Sequence, residues 1–335
     1  MPGTNDFQPV ATAGGANVVT QAEYLALTSL LADGLTSGIV NSAQFNKMIR
    51  QATFVAAAVA QLVANSGANA TDDGNLAAFV ANLQQTMGAS VVGTARNLRA
   101  SLTAASTSVT FTADEIIVET ALGGAPFRLA AFNKTLNVST TGAGGMDTGA
   151  APASGYVAIY AIYNPTTSTA SILATNATAA AAPNVYGGAN MPAGYTLSGL
   201  ISVWPTTGSS QLVGGYQEDR GFSYAAVLQV LGAAGISSTL TNLGVAAAIP
   251  KNAKRTKGYL QIANVATTNS YGFAVAADTS GYSYEYMQAY VQPGGSYGAS
   301  MPFDIPVSTP QTLAYQQVGT NTSGTYVIQI NGYSI

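Results

Sequence analysis

Few side chains in this sequence can do chemistry, and their types exclude more than they offer. There is no histidine and no cysteine among the 335 residues. Ser-His-Asp and Cys-His nucleophiles are therefore excluded, as are histidine-based zinc sites. Paired carboxylates could still hydrolyse a glycosidic bond. The candidate sets are Asp114 with Glu115 and Glu119, or Asp278 with Glu285. Asp114 and Glu115 open a strand after a turn, where acids sit in water. Neither set is taken as catalytic, and the chain is read as a non-enzyme needing no cofactor and no metal. The glycines from Gly142 to Gly145 resemble a phosphate cradle only superficially, because no GK[ST] follows. They read as a flexible surface loop.

Tyrosine and lysine are more informative. Of the 18 tyrosines, 12 lie after residue 215. In YSYEYMQAY, the spacing of Tyr282, Tyr284, Tyr286 and Tyr290 places all four on one face of a strand, with Ser283, Glu285, Met287 and Ala289 opposite. Tyrosine offers rigid area with a hydroxyl at its edge, which suits flat sugar rings. The same pattern also fits a cross-strand aromatic ladder inside a subunit or a trimer interface. Lys251, Lys254, Arg255 and Lys257 gather four of the 11 basic residues within seven positions. They read as a solvated loop, as a site for phosphorylated or acidic glycans, or as a dock for a partner subunit. The segment is short and lacks interleaved aromatics, so no nucleic-acid partner is expected.

The elements that must position these groups divide into a helical start and a long β region. Residues 1–19 read as an extended arm ordered by docking on a partner. Thr20 and Glu23 form a capping box that starts a helix, and Gly34 stops it. A second helix runs from about Ser42 to Ser66. Phe45, Ile49, Ala52, Val55, Val59 and Leu62 recur at three- and four-residue steps and predict one buried face, with Lys47, Arg50 and Gln51 on the polar side. A third helix runs from Asp72 or Asp73 to just before Gly88, with Leu76, Phe79, Val80 and Leu83 as its stripe. Helices this apolar would be covered by copies of themselves, and a closed ring satisfies that. Phe45, Ile49, Val55, Val59, Leu62 and Phe79 are thus the candidate attachment and trimer-interface residues. Residues 89–105 read as a connector in which Arg96 and Arg99 share a helical face.

From Ser106 the apolar period changes to two. TSVTFT, DEIIVETAL, FRLAAF and TLNVST read as short strands. GYVAIYAIYNP, apolar on both faces, reads as a central strand paired with SILAT. EDRG, at 218–221, marks a boundary. Beyond it GYLQIANV, YGFAVAA, YSYEYMQAYV, TLAYQQV and TYVIQINGYS predict a β-sandwich or jelly roll. The fold class is α+β and multidomain: a helical attachment and trimerisation domain over 20–105, then two mainly antiparallel β domains over 106–220 and 221–335, assembled as a homotrimer.

Composition sets the surroundings. Charged residues are 7% of the chain, against roughly 25% in an ordinary soluble domain. A net charge of −3 implies neither a nucleic-acid nor a polycation partner. No run of 18 apolar residues and no signal-peptide pattern is present, so neither membrane insertion nor export is expected.

The first 90 residues resemble the N-terminal region of bacteriophage tail fibre proteins. The pieces that carry the resemblance are ATAGGANVVTQAEYLAL, SGIVNSAQFNKMIRQATFVAAAVAQLVAN and DDGNLAAFVANLQQTM. NLRASLTAASTSVTFTADEIIVETALGG, STTGAGGMDTGAAPASGYVAIYAIYNPTT and VYGGANMPAGY are similar to a module of phage tail proteins. Together they cover about two-thirds of the chain. The resemblance implies a protein of the virion tail, made in the bacterial cytoplasm. Its N-terminal region would attach to tail or baseplate proteins. Its C-terminal β domain would bind a host-surface glycan or pilus. A structural baseplate component holding another fibre, and a polysaccharide depolymerase, remain alternatives.

Overall fold

The computed structural model describes residues 3–35, 40–86, 91–124, 126–234, 237–265, 269–291, 297–319 and 325–335. The chain divides into a helical unit, residues 1–90 with 123–127, and a β unit formed by 91–122 and 128–335.

In the helical unit the capping box forms as the sequence predicts. Thr20 Oγ1 accepts from the Glu23 amide, and Glu23 accepts from the Thr20 amide at 2.7 Å. The helix it starts is short. Helix α1 (Gln21–Leu25) ends at Ala26, and α2 (Thr28–Asp33) begins anew, because Leu27 leaves helical geometry with ψ 60°. Helix α3 (Ser42–Asn65) is capped by Asn41, whose Oδ1 accepts from the Ala43 and Gln44 amides. Helix α4 (Leu76–Thr86) starts later than expected. Asp73 and Asn75 use their side chains to build a turn and a cap before it. The expected stop at Gly88 lies outside the described residues.

Burial on α3 departs from the expected stripe. Ala57, Ala60, Val63 and Ala64 are buried, and Ala60 and Val63 pack with Ala70, Phe7, Phe79 and Leu83. Within the chain Phe45, Val55 and Leu62 are exposed, and Ile49 and Val59 are half-buried. Alanine carries the contact because it permits close backbone approach. The apolar stripe and the packed face are therefore not the same face. The N-terminal arm also differs from expectation, since it docks on its own chain. Gly3 N donates to Ala64 O at 2.7 Å, Asn5 bridges to Ala70, and the Phe7 and Phe79 rings meet at 5.5 Å.

The β unit contains two open antiparallel sheets, neither closed into a barrel. Its strands in chain order are β1 (Ala95–Arg96), β2 (Arg99–Leu102), β3 (Ser108–Glu119), β4 (Pro126–Asn137), β5 (Tyr156–Asn164), β6 (Thr169–Asn176), β7 (Leu197–Pro205), β8 (Gly215–Glu218), β9 (Gly221–Ala234), β10 (Thr241–Gly244), β11 (Arg255–Val265), β12 (Asn269–Ala276), β13 (Glu285–Val291), β14 (Tyr297–Pro306), β15 (Thr312–Gly319) and β16 (Thr325–Ser334). The larger sheet runs β14-β11-β16-β9-β8-β2-β3-β7-β5-β6, with β1 and β4 also on β3. The smaller runs β10-β15-β12-β13. Phe273 of β12 meets Tyr326 of β16 at 5.3 Å, so the two sheets share a packed interface.

Several expectations change here. Arg96 and Arg99 lie on β1 and β2, not on a helix face. The loop from Gly142 to Gly145 is built into the fold: Gly144 N donates to Ile172 O, Ala174 N donates to Gly145 O, and Met146 beside it is fully buried. The sequence EDRG is not a boundary. It turns β8 into β9, which pair as a hairpin within the larger sheet. Arg220 at the turn donates to Ile335 O at 2.9 Å and to Leu200 O and Gly93 O, and burial lowers its pKa. The expected β domains over 106–220 and 221–335 thus share one sheet. They also share one aromatic core. Trp204 packs edge-on against Phe111 and Phe222, and Phe222 stacks on Tyr333 at 5.1 Å. The Tyr333 hydroxyl donates to Val203 O at 2.6 Å. Strand β5 is buried on both faces and pairs with β6, as its composition predicts.

Candidate functional site

The site begins with the alternation of β11. Arg255, Lys257 and Tyr259 point to one face, while Thr256, Gly258 and Leu260 are buried on the other. Lys257 lies across from Asp304 on β14 and Gly332 on β16. Between Lys257 and Gly258 the pairing with β16 slips by one residue, and Asn331 is the extra residue of that bulge. Gly332 has a spatial reason to be glycine, because a Cβ there would run into the Phe222 carbonyl oxygen of β9 and sit 2.7 Å from Lys257 Cε. Its absence lets the lysine stem lie along the strand.

These groups surround an open cleft of about 390 Å³, lined by Lys257, Gly258, Tyr259, Glu285, Pro302, Phe303, Asp304 and Asn331. Arg255 holds Asp304 from outside the lining. Its Nε donates to Asp304 Oδ1 at 3.0 Å and its Nη2 to Asp304 O at 2.7 Å. Glu285, from the smaller sheet, accepts from the Asp304 amide at 3.4 Å. Asn331 Oδ1 is buried and has no hydrogen-bond partner among the described residues. Such an orphan acceptor costs about 1–3 kcal/mol. The cleft therefore presents an ammonium, two carboxylates, an amide and the exposed Tyr259 ring within one opening.

The tyrosine run adjoins this cleft through Glu285. Tyr282, Tyr284, Tyr286 and Tyr290 are all exposed, from 38% for Tyr286 to 69% for Tyr282. The four do not share one strand face. Ser283 takes φ 52°, which breaks the extended chain, and β13 begins only at Glu285. Tyr282 belongs to the turn before it, where its carbonyl accepts from the Ala277 amide and Asp278 accepts from the Ser280 amide. Tyr286 and Tyr290 do share the outer face of β13, opposite buried Met287 and Ala289. Tyr284 rejoins them by stacking on Tyr286, with centroids 6.5 Å apart and planes 17° from parallel. Its pKa is raised by partial burial and by the neighbouring phenol. Tyr286 reaches over β12, and a Cβ at Gly272 would meet its hydroxyl at 2.6 Å. Gly272 thereby lets the ring lie flat on the sheet.

The other expected residues separate. Lys251 donates to Ala179 O at 2.7 Å and Lys254 is exposed, so of the basic cluster only Lys257 lines the cleft, with Arg255 held to the lining residue Asp304. Glu115 pairs with Arg128 at 3.2 Å, Asp114 accepts from Asn97, and Glu119 is buried. Among the described residues no group of three His, Cys, Asp or Glu side chains is placed to hold a metal ion.

Compared with known proteins, the chain matches no family model and no curated protein.

Asp304 and Asn331 were not singled out from sequence. Asp304 falls in a strand missed because Pro302 and Pro306 interrupt it. The period-two run Ala299, Met301, Phe303, Ile305 was a readable signal, and β14 is an edge strand, where proline is tolerated. Asn331 owes its place to a bulge, which leaves no mark in the residue pattern.

Proposed function

We propose that this chain is a bacteriophage tail attachment protein. Its helical unit would seat it, as part of a homotrimer, on tail or baseplate proteins, and its β unit would bind a bacterial surface glycan. The observation that carries the glycan reading is the Tyr284–Tyr286 stack exposed beside a polar cleft. Flat phenol faces accept the apolar face of a sugar ring, and carboxylates, ammonium and amide groups exchange hydrogen bonds with its hydroxyls. Three tethered copies would add avidity to a weak single site. The exposed apolar residues of α3 support the seating, since Phe54, Val55 and Leu62 leave surface for another chain to cover. The resemblance of the first 90 residues to tail fibre attachment regions supports it independently.

The test is binding of the full chain to arrayed bacterial surface polysaccharides and to whole cells. Tyr286→Ala should lower attachment at least roughly tenfold, since a stacked ring contributes about 0.5–1.5 kcal/mol per copy and the loss multiplies over three copies. Its melting temperature should stay within a few degrees of the parent. If the parent chain binds neither glycan nor cells and instead captures another virion protein through the β unit, the chain is a structural tail component. Sugar release from the array would mark it as a depolymerase.

A further inference from the structure

The helical unit holds a second cleft, of about 370 Å³, lined by Thr12, Gln21, Lys47, Arg50, Gln51 and Phe54. Four of these stand at positions 47, 50, 51 and 54 of α3, a three- and four-residue spacing that puts them on one helix face. Lys47 was expected on the polar, solvated side, but it is only 5% exposed. The lysine stem is packed away while its ammonium still reaches the cleft, as long amphipathic side chains do. Its contact among the described residues is the Tyr24 ring, 5.9 Å from Nζ to the centroid. The ion pairs found there, Arg99–Glu218, Arg128–Glu115 and Arg255–Asp304, involve neither Lys47 nor Arg50. Nearby Glu23 is engaged at the Thr20 cap. Two cations thus line one cleft with no anion among its lining residues, and the stem of one of them is almost wholly packed against the helical unit.

We infer that this cleft is a binding site for a carboxylate, supplied by an acidic side chain of a partner polypeptide. The donor set selects the anion. Every donor from α3 is a side chain, because residues 47–54 lie inside the helix and their amides are spent on it. No glycine lines the opening, and α3 offers there no free run of backbone N–H of the kind that cradles the several oxygens of a phosphate. A guanidinium fork beside one ammonium matches the two oxygens of a carboxylate. The amides of Gln51 and Gln21, themselves joined at 3.4 Å, stand at the rim. The source follows from the surroundings. Phe54 in the cleft wall and Val55 beside it are 60% and 62% exposed, so an acid flanked by apolar residues would neutralise the lysine and cover them together. The site stands apart from host binding, because its ligand approaches the helical unit.

The experiment is titration of the full-length, ¹⁵N-labelled chain with N-acetylglutamate N-methylamide, its glutamine analogue, and inorganic phosphate in separate series. Saturable shifts of the Gln21 and Gln51 side-chain amides are expected with the glutamate compound and not with the glutamine analogue. Lys47→Met keeps the length of the stem and removes the charge. It should weaken binding at least roughly tenfold. Arg50→Gln, at a half-exposed position, should weaken it in the same direction and guards against misfolding of the first variant. Equal response to the glutamine analogue, unchanged affinity in both variants, or no saturation would overturn the site. Phosphate binding as tightly as the carboxylate would overturn the choice of ligand.

Discussion

The two units handle a nearly uncharged sequence in opposite ways. The helical unit packs its small residues and leaves its large ones outside. Ala57, Ala60 and Ala64 are buried, while Phe54, Val55, Leu62 and Leu76 are 46% to 73% exposed and a lysine lies inside. The β unit does the reverse. Trp204, Tyr160, Tyr271, Tyr326, Phe111 and Phe222 are fully buried, and its exposed aromatics are largely tyrosines with a hydroxyl at the edge. The β unit carries a complete core of its own. The helical unit leaves large apolar surface outside, which is what the proposed assembly would cover. A low charge count alone does not distinguish the two; where the large side chains go does.

The largest expected effect tests whether the β unit is one folding body. Trp204→Ala removes the ring that touches Phe111 and Phe222, at a cost of about 3–5 kcal/mol. Amide hydrogen exchange should show protection falling together on β5, β11 and β16. Full protection retained in β11 and β16 would restore two separate β domains.

Alkaline pH sharpens the contrast between the units. Tyr224 and Tyr333 have pKa values pushed well above 10 by burial, and burial raises Tyr186 and Tyr326 to about 12. For Tyr186 the hydroxyl's hydrogen bond to Asp147 adds to the effect. An unfolded tyrosine ionises near pH 10. These phenols therefore contribute stability that is complete below that pH and is lost as pH rises through the folded values. Denaturant midpoints of the β unit, read by Trp204 fluorescence, should be level from pH 7 to about 9 and fall beyond about 10. A midpoint still level at pH 11 would mean that the buried hydroxyls are not held as described.

The smallest effect on stability is expected where the largest effect on assembly is. Val55→Asp changes an exposed position, so the melting of an isolated chain should move by no more than about 0.5 kcal/mol. Light scattering should nevertheless show loss of the proposed trimer. A parent chain that is monomeric at micromolar concentration would overturn the trimer, and a Val55→Asp variant that still assembles would move the self-contact away from α3.

Legibility in the sequence followed how local each cause was. The Thr20–Glu23 capping box needs four residues and was readable in full. So was the doubly apolar β5, whose burial follows from its own composition. The face of α3 that packs within the chain was not legible because periodicity locates apolar side chains, whereas packing there chose alanines that let the arm and α4 come close. Lys47 was assigned to the polar side by its place opposite the apolar stripe, and nothing local announced its burial. Strand β14 was hidden by two prolines that only an edge position explains. The cleft joins β11, β13, β14 and β16, brought together by a bulge and a crossover between sheets, which no short window contains.

The placement of β16 also constrains the order of events during synthesis. The strand lies between β9 and β11, pairing with both, although it is the latest of the sixteen along the chain. Until Thr325–Ser334 has been made, β9 and β11 each present an open edge to other nascent chains. A ribosome stalled before Thr325 would therefore release a product with two sticky borders in place of one continuous sheet, and its fate would be aggregation.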